Sequence, residues 1–214
     1  MPTERNFPKI FFIAGLTGTF LAGLFKLICF SSSHWIDRHE GGDPNFISAG
    51  LWEVCYDGYK RPDSMSGQSY KGCYWVFSDE VRALRDIILP SWFISVQVMI
   101  SLTFLLQGLV AVFLLCVLIH CCPIHVKPLI LTLSSIVMFL CGLLITISLI
   151  VFGVKSEDRQ WMPRPDQNYL SWSFGICVLS GFFSLFSAMC LLVASISSSR
   201  DQNVDSKAHR MRRY

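Results

Sequence analysis

Four long apolar blocks limit the folds available to this 214-residue chain more than any other feature. The blocks run Ile10–Phe30, Ser91–Ile119, Leu129–Val154 and Leu170–Ile196. Each one exceeds the about 20 residues that a helix needs to cross a bilayer core. Lys26 is the one full charge inside them, and only 15% of the chain is charged, where a soluble domain would have about a quarter. The blocks therefore predict four transmembrane helices.

A cleaved secretory signal peptide is the alternative interpretation of the first block. Its apolar run is longer than the ~7–15 residues of a signal-peptide core. The residues that follow it offer only a weak small-x-small pattern, at Ser31 and Ser33. We therefore interpret the first block as a retained helix.

The distribution of lysine and arginine predicts the orientation of the chain. Four spans place both termini on one side of the membrane. Basic residues are concentrated in the two termini and in the short loop between the second and third blocks: Arg5, Lys9, Lys127, Arg200, Lys207, Arg210, Arg212 and Arg213. The positive-inside rule places these segments in the cytoplasm.

The predicted fold class is membrane α-helical, a left-handed bundle of four transmembrane helices with a small extracellular antiparallel β-sheet. The expected organisation, in chain order, is a cytoplasmic N-terminus 1–9, helix 10–30, a large extracellular loop 31–90, helix 91–119, a cytoplasmic loop 120–128, helix 129–154, a small extracellular loop 155–169, helix 170–196 and a basic cytoplasmic tail 197–214. The polar tail is expected to be disordered.

The large loop has the composition of a small sheet. Runs at 51–56 and 73–77 are rich in strand-forming residues, and a segment rich in Gly, Pro, Ser and Asp connects them like a hairpin. So small a domain buries too little apolar surface to hold itself. Cys55 and Cys73 are the only extracellular cysteines, so we predict that they form a disulfide worth about 3 kcal/mol, with two free thiols as the alternative.

The segment Gly50-Leu51-Trp52 stands just before this cysteine. An amphipathic indole suits the membrane–water boundary, so Trp52 and Trp35 are expected to anchor the loop to the helix ends. Gly50 is expected to permit a close approach of the backbone.

Trp35, then Gly50-Leu51-Trp52, then Cys55 and Cys73, resemble the first-loop signature of the claudins. The four-span layout with a large first loop is similar to that family over nearly the whole chain except the tail. Two departures stand out. The interval between the cysteines is longer than in vertebrate claudins, and Gln97 stands where those proteins often carry an arginine.

The segments 89–97 and 169–178 look most like invertebrate claudins, whose family is associated with septate junctions. The resemblance implies a cell–cell junction protein in the lateral plasma membrane that forms or regulates a paracellular barrier. Its expected partners are like or related claudins in cis and in trans, and membrane lipid, with no nucleic acid. The alternatives are an auxiliary subunit of a membrane channel, similar to calcium-channel gamma subunits, or an organiser similar to epithelial membrane proteins.

Loop charge is the candidate determinant of ion selectivity. Residues 31–90 hold nine acids and six bases, a net charge of −3. In claudin-like channels, loop charges near the first cysteine tune selectivity, which points to Asp57 and Glu53. The alternatives are ordinary solvated acids or a pure barrier.

On the cytoplasmic side, Cys121 and Cys122 follow the second span, and the resemblance favours palmitoylation there, against two unmodified thiols. The histidines that flank them have a poor spacing for zinc, and we expect no metal or other cofactor. Many claudins end in a motif that binds PDZ scaffolds, but Tyr214 after two arginines is a weak match.

Within the blocks, we find no acid, histidine pair or nucleophile–base arrangement, so no enzymatic activity is expected. Lys26 is expected to snorkel to the headgroups, and Gln97 and Gln107 to hydrogen-bond across the bundle. Small residues at steps of four in the first and fourth spans predict internal helix–helix seams, with side-by-side oligomerisation as the alternative: Ala14, Gly18 and Ala22, and Ser180, Ser184 and Ala188.

Overall fold

The computed structural model describes residues 7–61, 68–123, 125–159, 161 and 165–211. In this part of the chain, four helices are long and apolar enough to cross a membrane. They are α1 (Phe7–Ser31), α3 (Ser91–Leu118), α4 (Lys127–Lys155) and α5 (Trp172–Met211), and a single-turn helix α2 (Arg85–Ile88) precedes α3. The remainder is mainly strand and short turns.

The fourth long helix does not end where the apolar block ends. It continues to Met211, so the expectation of a disordered tail is wrong for residues 197–211. No glycine or proline interrupts this segment. Extending an existing helix adds one hydrogen bond per residue without a new nucleation step, so a polar segment free of helix breakers continues it. Residues 212–214, including Tyr214, lie outside the described residues.

The loops that flank the helices form an antiparallel sheet. Its described strands are β1 (Ile36–Arg38), β2 (Phe46–Ala49), β3 (Glu53–Lys60), β4 (Ser69–Trp75) and β5 (Asn168–Leu170), in the order β4-β3-β2-β1-β5. The sequence predicts the region of β3 and β4 but neither β1, β2 nor β5. Residues 62–67, the predicted hairpin tip, lie outside the described residues.

The strand predicted at 51–56 begins two residues later than expected. Leu51 and Trp52 lie in a bend, where the Gly50 amide donates to the Glu53 carbonyl at 2.8 Å, and the strand itself starts at Glu53. Leu51 is fully buried in the core, and the half-buried Trp52 packs against the same core. The two side chains therefore do not alternate between opposite faces as they would in a strand.

The chain divides into two compact units, which we describe separately. The first comprises residues 1–24, 103–143 and 180–214, and its described part consists of segments of the long helices and the short connection after α3. The predicted seam between α1 and α5 is internal. A side chain at Gly15 would overlap Leu191, and the Ser180 hydroxyl donates to the Ala22 carbonyl at 2.8 Å. The small residues thus permit close backbone contact, as expected in lipid.

Polar side chains in this unit are satisfied by neighbouring helices. Gln107 Nε2 donates to the Thr19 carbonyl at 2.9 Å, which confirms the bond expected across the bundle. Thr19 and Ser187 hydroxyls lie 2.7 Å apart, and Ser187 also donates to the Gly15 carbonyl at 2.7 Å. Buried polar atoms in a lipid environment need such partners, and here backbone carbonyls provide several of them.

The second unit comprises residues 25–102 and 144–179, and it contains the sheet with the adjoining helix ends. Trp35, Leu51 and Val54 pack in one core with Phe93 of α3 and Phe152 of α4. The described side chain of Lys26 is also buried here, with no exposed surface, so the expectation that it snorkels to the headgroups is wrong. Tertiary packing around the last turns of α1 covers it, which hydropathy alone does not reveal.

Candidate functional site

Trp35 is bonded to three separate segments of the chain. Its indole Nε1 donates to the carbonyl of Cys29 in α1 at 2.7 Å. Its backbone amide donates to Ala49 of β2 at 3.0 Å, and its carbonyl accepts from the Ser171 amide at 2.9 Å. The side chain has no exposed surface. A single residue therefore joins the end of α1, the sheet and the start of α5.

The aromatic surroundings of Trp35 complete its burial. Its ring lies edge-on to Phe152 of α4, with centroids 4.9 Å apart, and to Phe174 of α5, at 5.8 Å. Edge-to-face pairs at these distances are the favoured geometry for aromatic rings. The indole thus has its polar atom satisfied and its faces packed, as a structural anchor requires.

Gly50 stands against the backbone that leaves α1. A Cβ at this position would overlap the Ser32 carbonyl oxygen and would lie 2.6 Å from Ser33 Cα. Both obstacles are main-chain atoms, which cannot rotate away like a side chain. The close approach expected from the sequence is therefore present, and it needs glycine.

Gln97 supports the same segment from α3. Its Nε2 donates to the Leu51 carbonyl at 2.6 Å, and the residue is only 2% exposed. The sequence predicts a bond across the helix bundle for this glutamine, but the partner is the bend before β3. At the position where vertebrate claudins often carry arginine, this chain has a neutral donor that holds the loop backbone.

Trp52 occupies a less enclosed place than Trp35. Its ring lies 5.2 Å from Phe30 at the end of α1 and 6.3 Å from Phe77 after β4. Within the described residues its buried Nε1 has no hydrogen-bond partner. Of the two expected anchors, Trp35 is the one with a complete set of bonds.

Cys55 and Cys73 form the expected disulfide. They lie directly opposite each other on β3 and β4, so the bond crosses the hairpin between paired residues. Cys55 is buried and Cys73 is exposed, which places the bond at the surface of the sheet. The bend at Gly50 therefore fixes the start of β3, and the disulfide fixes the strand at Cys55.

The candidate selectivity residues lie on the same strand. Asp57 faces Lys71 across the hairpin, with Lys71 Nζ 3.3 Å from Asp57 Oδ1. The two side chains are 54% and 81% exposed. Glu53 lies opposite Trp75 near the start of the strand. Asp57 is thus an exposed acid whose field is partly compensated by one lysine, a pairing that the sequence analysis missed.

A second cluster joins the two loops. Asp37 of β1 accepts a hydrogen bond from the Ser171 hydroxyl through Oδ2, and its Oδ1 lies 2.8 Å from Nδ1 of His34. Because Ser171 donates to the carboxylate and not to the histidine, the three residues lack the geometry of a nucleophile and its base. Asp37 and Ser171 are 134 positions apart, so no local sequence signal indicates their contact.

An apolar cavity adjoins the sheet, lined by the aromatic side chains of Phe46, Tyr56, Tyr59 and Trp161 among others. Burial raises the pKa of the Tyr56 phenol, and the neighbouring Tyr59 and Tyr70 raise it further. Tyr56 therefore stays neutral at physiological pH and adds nothing to the charge of the loop.

Cys121 and Cys122 lie in the short connection after α3. His120 has a φ of 59°, a left-handed conformation that ends helices. Cys121 is exposed, Cys122 is half-buried, and both thiols are free. Among the described residues, no group of three or more histidine, cysteine or acidic side chains is placed to hold a metal ion.

These features define a multi-pass membrane protein that has four spanning helices and a disulfide-clamped antiparallel sheet. A family model described as PMP-22/EMP/MP20/Claudin tight junction matches residues 20–193, and the chain belongs to this family. Membership points to a structural, non-enzymatic protein. Comparison with curated proteins finds no match. The closer likeness to invertebrate septate-junction claudins stays a prediction.

Removing the disulfide is expected to destabilise the sheet. Cys55→Ser or Cys73→Ser should lower the free energy of unfolding by about 3 kcal/mol, because the cross-link restricts the unfolded hairpin. Thermal unfolding in detergent, with and without reductant, measures the loss. The double variant should lose no more than either single variant, since both remove one bond. Additive losses, or free thiols at both positions in non-reducing peptide maps, would contradict the assignment.

Replacing Gly50 is expected to be costly for a steric reason. Gly50→Ala forces a methyl group against the main chain of Ser32 and Ser33, and overpacking of this kind costs about 1–3 kcal/mol. Gly175→Ala is the matched control, because a Cβ there meets no atom within 4 Å. Melting temperatures of both variants in the same detergent test the contrast. Equal stability of the two would show that the close approach is not required.

Proposed function

We propose that this chain is a claudin-like cell–cell junction protein that forms or regulates a paracellular barrier, as at a septate or tight junction. The observation that carries the proposal is that both loops contribute strands to one sheet, which Trp35 fixes to the end of α1 and the disulfide clamps between β3 and β4. A surface that meets a neighbouring cell must keep its shape without a large core, and these restraints supply that rigidity.

The orientation belongs to the same proposal. Lys9, Lys127, Arg200 and Lys207 favour the cytoplasm for the ends of the chain and for the loop after α3. The sheet then faces the extracellular space, where a disulfide persists. Like or related claudins, in the same membrane and in the opposing one, are the proposed partners. A cytoplasmic scaffold at the C-terminus and membrane lipid are further proposed partners.

The runner-up is an auxiliary subunit of a membrane channel or an organiser similar to epithelial membrane proteins. The matching family model covers PMP-22, EMP and MP20 proteins as well as claudins, which supports this second candidate function. Such a protein would act beside one partner in its own membrane and would not require a copy on the opposing cell.

Mixed cultures test the two readings. Cells that express the tagged chain are grown beside cells that do not. A junction protein engaged in trans should concentrate where two expressing cells meet and should raise the electrical resistance of the layer. Equal intensity at all borders, with co-purification of one channel, would favour the subunit reading and overturn the junction proposal.

The ion pair between Asp57 and Lys71 gives the charge proposal a matched test. If the sheet lines a paracellular path, Asp57→Asn should lower the preference for cations. Lys71→Gln should raise it, because the carboxylate loses its neighbour, and fields act over about 8 Å at physiological salt. Exposed pairs contribute only about 0–1 kcal/mol, so both variants should fold normally. Dilution potentials across an epithelial layer measure the preference.

Opposite shifts in the two variants support selectivity set at this pair. Unchanged potentials in both, with an increased resistance to all ions, would indicate a seal and ordinary solvated charges. Glu53→Gln tests the second candidate acid in the same layers.

We propose acylation at Cys121 and Cys122, supported by two free thiols just beyond the end of α3. The Cys121→Ser/Cys122→Ser variant should lose most of a palmitate label and partition less into junctional membrane. Cys190→Ser, which removes a buried thiol in the same unit, is the control and should keep the label. Undiminished labelling of the double variant would refute the assignment.

A further inference from the structure

Four aromatic side chains form a continuous row that starts at the end of a membrane-length helix. Phe30 lies in the last turn of α1, and Trp52 lies 5.2 Å from it. Phe77 follows at 6.3 Å from Trp52, and Trp75 at 5.5 Å from Phe77. We call these four residues the aromatic row. Its first member belongs to a span, and its last two belong to β4 and the turn after it.

The far end of the row is the most exposed apolar surface of the large loop. Trp75 is 57% exposed and Phe77 is 40% exposed. Among the described residues between 31 and 90, no other large apolar side chain reaches 40%. Single exposed apolar residues are normal on protein surfaces, but adjoining ones indicate contact with something other than water.

The position of Phe30 relates the row to the bilayer. α1 has 25 residues, and at about 1.5 Å per residue it exceeds the roughly 30 Å hydrocarbon core. Its last turn therefore reaches the interfacial layer, where tryptophan and other aromatic rings are enriched. Each further ring lies within 6.3 Å of the one before it. The row thus extends from the interfacial layer to the exposed rings.

A cation accompanies the exposed end. Arg85 Nη2 donates to the Phe77 carbonyl at 3.0 Å, with the Ser78 carbonyl at 3.4 Å. This places a guanidinium nitrogen against the backbone of the exposed residue. A guanidinium has five N–H donors in a planar fork that matches phosphate oxygens. Aromatic rings with an adjoining arginine are the side chains expected at a phospholipid headgroup layer.

We propose that Trp75 and Phe77 insert into the phospholipid leaflet that faces the sheet, with Arg85 at the level of the headgroup phosphates. The sheet then has two attachments. One is the internal anchor at Trp35, and the other is a contact of the β4 end with lipid. The occupant is lipid and not a second copy of the chain, because the row begins in the last turn of a membrane-length helix. This contact does not depend on the proposed junctional role.

Tryptophan fluorescence tests the insertion on the full chain in phosphatidylcholine vesicles. The difference between the wild type and Trp75→Phe isolates the Trp75 emission, and circular dichroism checks that the variant is folded. Lipids brominated near the carbonyl end of the acyl chain should remove most of the difference signal. Lipids brominated deep in the chain should remove less, and aqueous iodide should remove little. Trp161→Phe is the control, because Trp161 is buried and its difference signal should respond to neither quencher.

A Trp75 signal that iodide quenches and brominated lipid does not would overturn the proposal. Protection of Trp75 from iodide that disappears when the protein is diluted in lipid would also overturn the proposal, because a second copy of the chain would then cover Trp75. A second variant keeps the test independent of position 75. Phe77→Glu, with Trp75 kept, should weaken the quenching of Trp75 by brominated lipid. Phe77→Leu, also with Trp75 kept, should preserve that quenching.

Discussion

The hydrogen bond from the Trp35 indole to the Cys29 carbonyl holds the loop to the membrane-length helix, and the rest of the sheet depends on it. A helix end leaves carbonyls without intrahelical partners, and a buried one must find a donor elsewhere. Here the donor is carried by a large ring that Phe152 and Phe174 enclose. The same residue also bonds β2 and the start of α5 through its backbone. The residue that satisfies the Cys29 carbonyl at the end of α1 therefore also fixes the position where the sheet begins.

Gly50 and Gln97 extend this arrangement to the next bend. The glycine lets the chain pass against Ser32 and Ser33, and the glutamine holds the Leu51 carbonyl from α3. The disulfide then secures the hairpin farther along β3. Each restraint acts on backbone that would otherwise be free, so a small sheet keeps one conformation although its own core is limited.

Much of this architecture is readable from the sequence because its causes are local. Runs of apolar residues define the four helices, and two extracellular cysteines define the clamp. The strands β1 and β5 have three residues each, and they pair across more than a hundred positions, so neither composition nor periodicity reveals them. The burial of Lys26 and the partner of Gln97 also depend on tertiary packing. The continuation of α5 to Met211 has a different cause. The polarity of this segment predicts disorder, but no glycine or proline in it breaks the helix.

The pairing of β1 with β5 has a consequence for how this chain can vary. Ile36, Asp37 and Arg38 face Leu170, Tyr169 and Asn168 in a fixed register. An insertion of one residue within β5 would move the side chains beyond it to the opposite face of the sheet. The second loop is therefore tolerant of length changes only ahead of this pairing and in even steps within it. For the same reason the two loops form one structural unit. A chimaera that exchanges either loop alone would have to form the pairing between β1 and β5 anew.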